Sequence, residues 1–265
     1  MKKRIIHWTS LWLIPLSLGL IFAMGCEKDE ESQPTLPIDD NPIPDSIILF
    51  NPDLTYGTVT DIDSNVYKTI EIGTQTWIAE NLKVTKYNDG TPIPLVTDVL
   101  TWYNFTTEPA YCWYFFNESK YKKVYGALYN WYAVNTGKLC PTGWHVPTDV
   151  EWVTLIDYLG VETNVQSKLR ETGITHWKDD GYHKYIAATN ESGFTSLPSG
   201  NLDYHGYNAD LHFFSVGYTA YYWSSSDYNS SRADMLRLPD VRETNNVRWG
   251  NYDKILGFSV RCIKD

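Results

Sequence analysis

The sequence predicts an α+β fold built on antiparallel sheets. Short strand-and-turn segments follow Gly57, a capped amphipathic helix occupies residues 147–160, and a strand-and-loop pattern returns after Asn190. Nothing alternates strand with helix in the way a parallel sheet requires. The chain has 265 residues, 43% of them hydrophobic and 20% charged, which excludes a disordered protein. The only long apolar run lies at the extreme N-terminus, which excludes a multi-span membrane protein. A net charge of −10 argues against a nucleic-acid partner, because phosphate backbones need clustered Lys and Arg. Aromatic residues reach 15%, including 20 Tyr and 11 Trp, and this is the compositional outlier.

Residues 1–25 read as a signal peptide. Lys2, Lys3 and Arg4 precede an apolar stretch from Leu11 to Met24, and small residues flank the end. An uncleaved membrane anchor is the alternative, but the run is short and meets an acidic stretch. Ala23-Met24-Gly25-Cys26 resembles a bacterial lipobox, which implies lipidation at Cys26. Glu27, Lys28, Asp29, Glu30 and Glu31 resemble the export tag that places lipoproteins on the outer face of the outer membrane. These resemblances imply a membrane attachment through lipid, facing the cell exterior. Removing residues 1–25 takes away three basic residues and no acid, so the net charge falls from −10 to −13.

Residues 26–56 hold Pro34, Pro37, Pro42, Pro44 and Pro52 and are expected to form an acidic, extended tether. Thirty residues at polyproline rise reach about 90 Å. Residues 57–265 are the expected domain, with hairpins over 57–105 and a core over 106–265. Val66 to Ile72 alternates along one face, and Asp63-Ser64-Asn65 and Gly73-Thr74 supply turns. Asp61-x-Asp63-x-Asn65 is spaced like part of a calcium loop but lacks its glycine and distal Glu, so a polar turn is the better account. Residues 125–134 fit a helix with Ala127, Leu128, Trp131 and Val134 on one face. Residues 110–116 read as a buried strand containing Cys112. Thr148 and Glu151 form a capping box before Trp152, Leu155, Ile156 and Leu159, and Gly160 ends the helix; capping alone explains Glu151. Strands are expected at Phe194 to Leu197, Tyr218 to Ser224, Met235 to Leu238 and Gly257 to Ile263. In the last, Phe258, Val260 and Cys262 should face the core, opposite Ser259, Arg261 and Ile263.

Six ordered runs resemble the Fibrobacter succinogenes major paralogous domain, a family of bacterial surface and secreted proteins. They are Thr58-Val-Thr-Asp-Ile-Asp, Gln75-Thr-Trp-Ile-Ala-Glu-Asn-Leu, Tyr125-Gly-Ala-Leu-Tyr-Asn-Trp, Cys140-Pro-Thr-Gly-Trp-His-Val-Pro-Thr-Asp-Val-Glu-Trp, Tyr222-Trp-Ser-Ser-Ser and Gly257-Phe-Ser-Val-Arg-Cys. The segment from Val146 to Trp152 and the terminal Gly-Phe-x-x-Arg-Cys more distantly resemble the formylglycine-generating sulfatase-modifying proteins. That likeness implies a C-type-lectin-like fold, with two or three helices flanking antiparallel sheets and long irregular loops over about 198–255. It also implies a Cys140–Cys262 disulfide, since such folds staple an early element to the final strand. Three free thiols are the alternative, and Cys112 is the odd cysteine.

No nucleophile, zinc or P-loop motif is present. The paired copper-binding cysteines of the formylglycine enzymes have no counterpart between Arg232 and Ile255, so no enzyme of that kind is expected and no cofactor is called. Calcium-dependent lectin motifs are approached only by Leu238-Pro239-Asp240, and the six histidines form no metal set. The expected function is therefore a surface-displayed binding or adhesion module for an extracellular glycan or protein. The candidate residues are the loop aromatics Tyr204, Tyr207, Tyr222, Tyr228 and Trp249 with Asp227, Asn229 and Arg232 beside them, because Tyr and Trp supply flat contact area at low entropic cost. Packing of the same rings against the core is the alternative. A structural subunit of a cell-envelope assembly is the rival function.

Overall fold

Two sheets that share one buried C-terminal segment organise this protein, seen here in a computed structural model. The structure describes residues 39–41, 47–104, 107–160, 164–178, 187–205, 210–239 and 247–265. The signal peptide, Cys26, the acidic stretch after it and Tyr207 lie outside the described residues. Among the described residues no helix is long and apolar enough to cross a membrane.

The strands are β1 Gly57–Thr60, β2 Val66–Ile72, β3 Gln75–Ile78, β4 Tyr111–Cys112, β5 Leu128–Tyr129 and β6 Trp144–His145. They continue as β7 Ser199–His205, β8 Asp210–Val216, β9 Ala220–Asp227, β10 Arg232–Leu238, β11 Arg248–Asp253 and β12 Ile263–Lys264. The helices are α1 Val99–Asn104, α2 Glu118–Tyr125, α3 Trp131–Val134, α4 Asp149–Leu159 and α5 Val165–Leu169. The first sheet runs β1-β2-β3-β12-β6 and the second β11-β10-β9-β7-β8; β4 and β5 form a small ladder between them in sequence. All named pairs are antiparallel except β7 with β9. The fold is α+β, with antiparallel sheets and a few short helices.

The N-terminal hairpins form where the alternation and turn residues place them. Ser64 takes the left-handed conformation at the first turn and Gly73 at the second. Asp61 accepts hydrogen bonds from the Asp63 and Asn65 amides, the Asn65 side chain and the Tyr67 hydroxyl. Its carboxylate thus builds the turn. Tyr67 enters one core cluster while Ile70 and Ile72 enter the other, so both faces of β2 are used. Helix α4 has the capping box, with Thr148 Oγ1 accepting from the Glu151 amide and the Glu151 carboxylate accepting from the Thr148 amide. Trp152, Leu155, Ile156 and Leu159 form its buried stripe.

Several expectations are corrected. Residues 125–134 are not one helix. Gly126 has φ 70°, and a Cβ there would lie 2.6 Å from the Leu82 carbonyl oxygen, so the chain must break at this point. Helix α2, which the sequence reading missed, ends there; β5 follows, and Asn130 caps α3 through the Ala133 amide. The strand expected over 110–116 stops at Cys112, because Phe115 and Phe116 both take positive φ. Phe194 to Leu197 forms no strand of its own; Ser196 makes an isolated bridge with Arg170.

The strands expected at Tyr218 to Ser224 and Met235 to Leu238 form within β9 and β10, but the long irregular loops implied around them do not: residues 198–205, 210–239 and 247–255 are largely strand. They build the second sheet, β7 to β11. Three of its strands, β7, β8 and β11, were not expected; in β10, Met235 and Leu236 are both buried, one in each core cluster. The C-terminal segment alternates as expected, with Phe258, Val260 and Cys262 in one core cluster and Ile263 in the other, but both of its faces are buried. It runs between the sheets, and Gly257, Phe258 and Ser259 bridge Leu202, Tyr129 and Tyr222. Finally, the expected tether ends early. Ile48, Phe50, Leu54 and Tyr56 pack on the two cores, and the Leu49 amide donates to buried Glu171 at 2.6 Å.

Candidate functional site

The residues that carry the family resemblance interlock in the interior. Arg261 has no exposed surface. Its guanidinium donates to Asn81 Oδ1 at 2.8 Å and to the carbonyl oxygens of Ile78, Phe194 and Thr195 at 3.1, 2.8 and 2.9 Å. It also lies against the rings of Phe194 and Tyr222. Burial pulls its pKa down, against the opposing influence of Tyr222 and Glu80. Asn81 in turn donates to the Tyr125 carbonyl and to Ser259. The indole of Trp131 donates to the Ser224 carbonyl, and that of Trp223 to the Tyr129 carbonyl. Trp77, Trp152, Phe194 and Tyr222 pack ring against ring. Cys140 and Cys262 form a disulfide across 122 residues. Cys112 is a buried free thiol whose pKa burial pushes well up, so it is a packing residue and no nucleophile.

Tyr222 was expected at a binding surface and is instead fully buried. It belongs to β9, and its hydroxyl meets Ser196 Oγ at 2.8 Å. Its expected setting was beside polar loops, whereas β9 carries it inward together with Ser224, whose carbonyl accepts from Trp131. Asp227 and Asn229 also have structural tasks. Asp227 Oδ1 lies 2.7 Å from the Lys254 ammonium, which sits over the Trp131 ring. Asn229 Oδ1 accepts from the Ser231 and Arg232 amides and so closes the turn between β9 and β10. Tyr228, at that turn, is 58% exposed, and Trp249, on β11, is 43% exposed.

Two of the expected residues, Tyr204 and Arg232, meet in a cleft of about 480 Å3 with Asp203, Asn251, Tyr252 and Asp253. The β10–β11 register creates it: Arg232 lies opposite Asp253, and Asp234 opposite Asn251. Arg232 donates through Nε to Asp253 Oδ1 at 3.1 Å and through Nη1 to Asn251 Oδ1 at 3.4 Å. Asp203, on β7, accepts from the Tyr204 amide at 2.7 Å and from Asn201 Nδ2 at 3.2 Å. Burial raises its pKa, the Tyr204 amide opposes this, and the Asp253 charge adds to it. Burial likewise raises the Tyr204 phenol, with Asp253, Tyr103 and Asp203 contributing. Tyr103, on α1, is half exposed. Trp249 shares the strand face of Asn251 and Asp253 by the alternation of β11.

The sequence reading missed Asp203, Tyr103, Asn251, Tyr252 and Asp253. Only the last three carried a signal, as the alternating polar and aromatic run from Arg248 to Asp253. A larger concavity of about 620 Å3 holds Lys83, Lys122, Lys123 and Glu118. Its charges are partly matched locally, Lys122 by Glu118 at 2.7 Å and Lys83 by Glu80 at 3.7 Å. Among the described residues no group of His, Cys, Asp and Glu is placed to hold a metal ion.

Comparison with known proteins adds one finding. The model of the Fibrobacter succinogenes major domain matches residues 70–264. No curated protein and no solved structure matches the chain. The matched span contains both sheets from β3 onward, the Arg261 network, the disulfide and the cleft, and the chain belongs to the Fibrobacter succinogenes major domain family.

Proposed function

We propose that this chain is a surface-exposed lipoprotein whose domain is a C-type-lectin-like binding module for an extracellular ligand, a glycan or a protein, and not an enzyme. One observation carries the reading. The cleft between β7 and the β10–β11 edge sets the Tyr204 and Tyr252 rings beside Asp203, Arg232, Asn251 and Asp253. Ring faces with a few placed polar groups are the composition of a ligand site. Tyr228 at the β9–β10 turn, Trp249 on β11 and Tyr103 on α1 are further exposed rings. The antiparallel sheets with short flanking helices are compatible with a lectin-like arrangement. The signal segment, Cys26 and the acidic stretch after it support lipid attachment at the outer membrane.

A screen of the mature chain against glycans and matrix proteins tests this. The expected result is a ligand whose affinity falls at least about tenfold on Arg232→Ala or Trp249→Ala, with unfolding unchanged. A blank screen would overturn the binding reading. Mass spectrometry of the mature N-terminus should find an acylated Cys26; an unmodified chain retaining residues 1–25 would overturn the anchor.

A further inference from the structure

We infer that the cleft takes an uncharged glycan and rejects acidic ones, with Asp203 and Asp253 setting that preference. The inference rests on the reading of the cleft as a ligand site and adds its chemistry.

The charged and amide groups lining the cleft are mainly hydrogen-bond acceptors. Asp203 and Asp253 carry carboxylates, while the Asn251 carbonyl oxygen already accepts from Arg232. A sugar ring offers many hydroxyl donors and an apolar C–H face, which suit carboxylate oxygens and the flat faces of Tyr204 and Tyr252. Arg232, the one cation among the described lining residues, is held by the protein itself. Its Nε bonds Asp253 and its Nη1 bonds Asn251, so an incoming carboxylate would have to compete with a carboxylate already in place.

Charge points the same way. With Arg232 paired to Asp253, the Asp203 carboxylate is left without a cation among the described residues. Its partners are the Tyr204 amide and Asn201 Nδ2. An acidic sugar would bring a like charge into a partly buried cleft, where such juxtaposition is strongly unfavourable. The surrounding chain, at −10, adds repulsion at longer range.

The test uses the mature chain and neutral hexasaccharides of glucose, mannose, galactose and xylose. For the three hexoses it also uses counterparts oxidised at C6 to uronates, which differ only in replacing CH2OH by a carboxylate. Titration calorimetry at neutral pH and low salt reads the affinities. The expected result is at least one neutral series bound, with its uronate counterpart at least about tenfold weaker. Asp203→Asn, which retains an acceptor oxygen for the Tyr204 amide, and the more exposed Asp253→Asn should each narrow that gap by about threefold or more. Uronates that bind as tightly as the neutral series, or a gap that neither substitution changes, would overturn the inference while leaving the cleft a ligand site. Binding of a protein ligand through Arg232, with no glycan bound, would do the same. A chain that binds no glycan and no protein would remove both this inference and the reading beneath it.

Discussion

Arg261 and Arg232 sit on the same fold and do opposite things. Arg261 is wholly buried and satisfies three carbonyl oxygens and an amide oxygen from separate parts of the chain. The Arg232 side chain is 51% exposed and pairs with Asp253 at the mouth of a cleft. The first lies in a run that carries the family resemblance, and so do Asn81, Gly126, Trp131, Trp223 and Cys262, all of them buried. The difference teaches that the family's recognisable residues specify the interior. The groups that can meet a ligand lie on the second sheet, mostly outside those runs. Membership in the family therefore identifies the scaffold and not the function, and the proposed ligand site lies on the β7–β11 surface.

The strongest way to break that comparison is Arg261→Ala. It would leave Asn81 Oδ1 and three buried carbonyl oxygens without this partner, and a loss of about 4 kcal/mol is expected from denaturant unfolding. A loss under about 1 kcal/mol would mean the interior network is dispensable. Cys140→Ser comes next. Opening a cross-link that spans 122 residues should cost about 2–4 kcal/mol, and reductant should reproduce the loss in the parent chain and not in the variant.

A smaller effect is expected where the C-terminus meets α4. His145 Nδ1 lies 2.7 Å from Asp265 Oδ1, and Nε2 lies 2.8 Å from Glu151 Oε1. Burial disfavours the charged ring, but hydrogen bonds to Asp265 and Glu151 overcome it and raise its pKa above 6.5. Glu151 is also partly desolvated, yet bonds from Thr148 and His145 lower its pKa below 4.5. The raised His145 contributes stability that is complete below pH 6.5 and lost as pH rises through its folded value. The lowered Glu151 contributes above pH 4.5 and loses it as pH falls. The clip is therefore strongest between about pH 4.5 and 6.5. His145→Asn should narrow the thermal-stability difference between pH 5.5 and pH 8, by under about 1 kcal/mol because the pair is partly exposed. An unchanged pH profile would show that the clip adds nothing.

The smallest effects on stability belong to the cleft. Arg232→Ala and Trp249→Ala should shift unfolding by about 0.5 kcal/mol or less, since both residues are exposed, while binding falls at least about tenfold. A large stability loss would erase the contrast between the two arginines and make the cleft part of the scaffold.

How far the sequence could be read followed from where each signal resides. The Thr148–Glu151 box, the turns at Ser64 and Gly73 and the Trp152–Leu159 stripe lie within a few residues and need no distant partner. In the second sheet β9 and β10 were legible as strands and β7, β8 and β11 were not; the burial of its side chains was hidden because Tyr222, Ser224 and Ser259 look like surface residues until their partners Ser196, Trp131 and Ser199 are brought to them. The apolar residues of 47–56 were hidden among prolines, and their contacts lie more than a hundred residues away.

The sequence by itself determined the α+β class, the capped helix, the N-terminal hairpins and, through its ordered runs, the family. Each depends on short-range periodicity or on recognisable strings of residues. Only the tertiary structure decided which aromatic rings reach solvent, which arginine is buried, and that Asp203 meets Asp253 across a cleft. Strand register and sheet order set those outcomes, and hydrogen bonding can bury a serine or an arginine whose composition alone would place it outside.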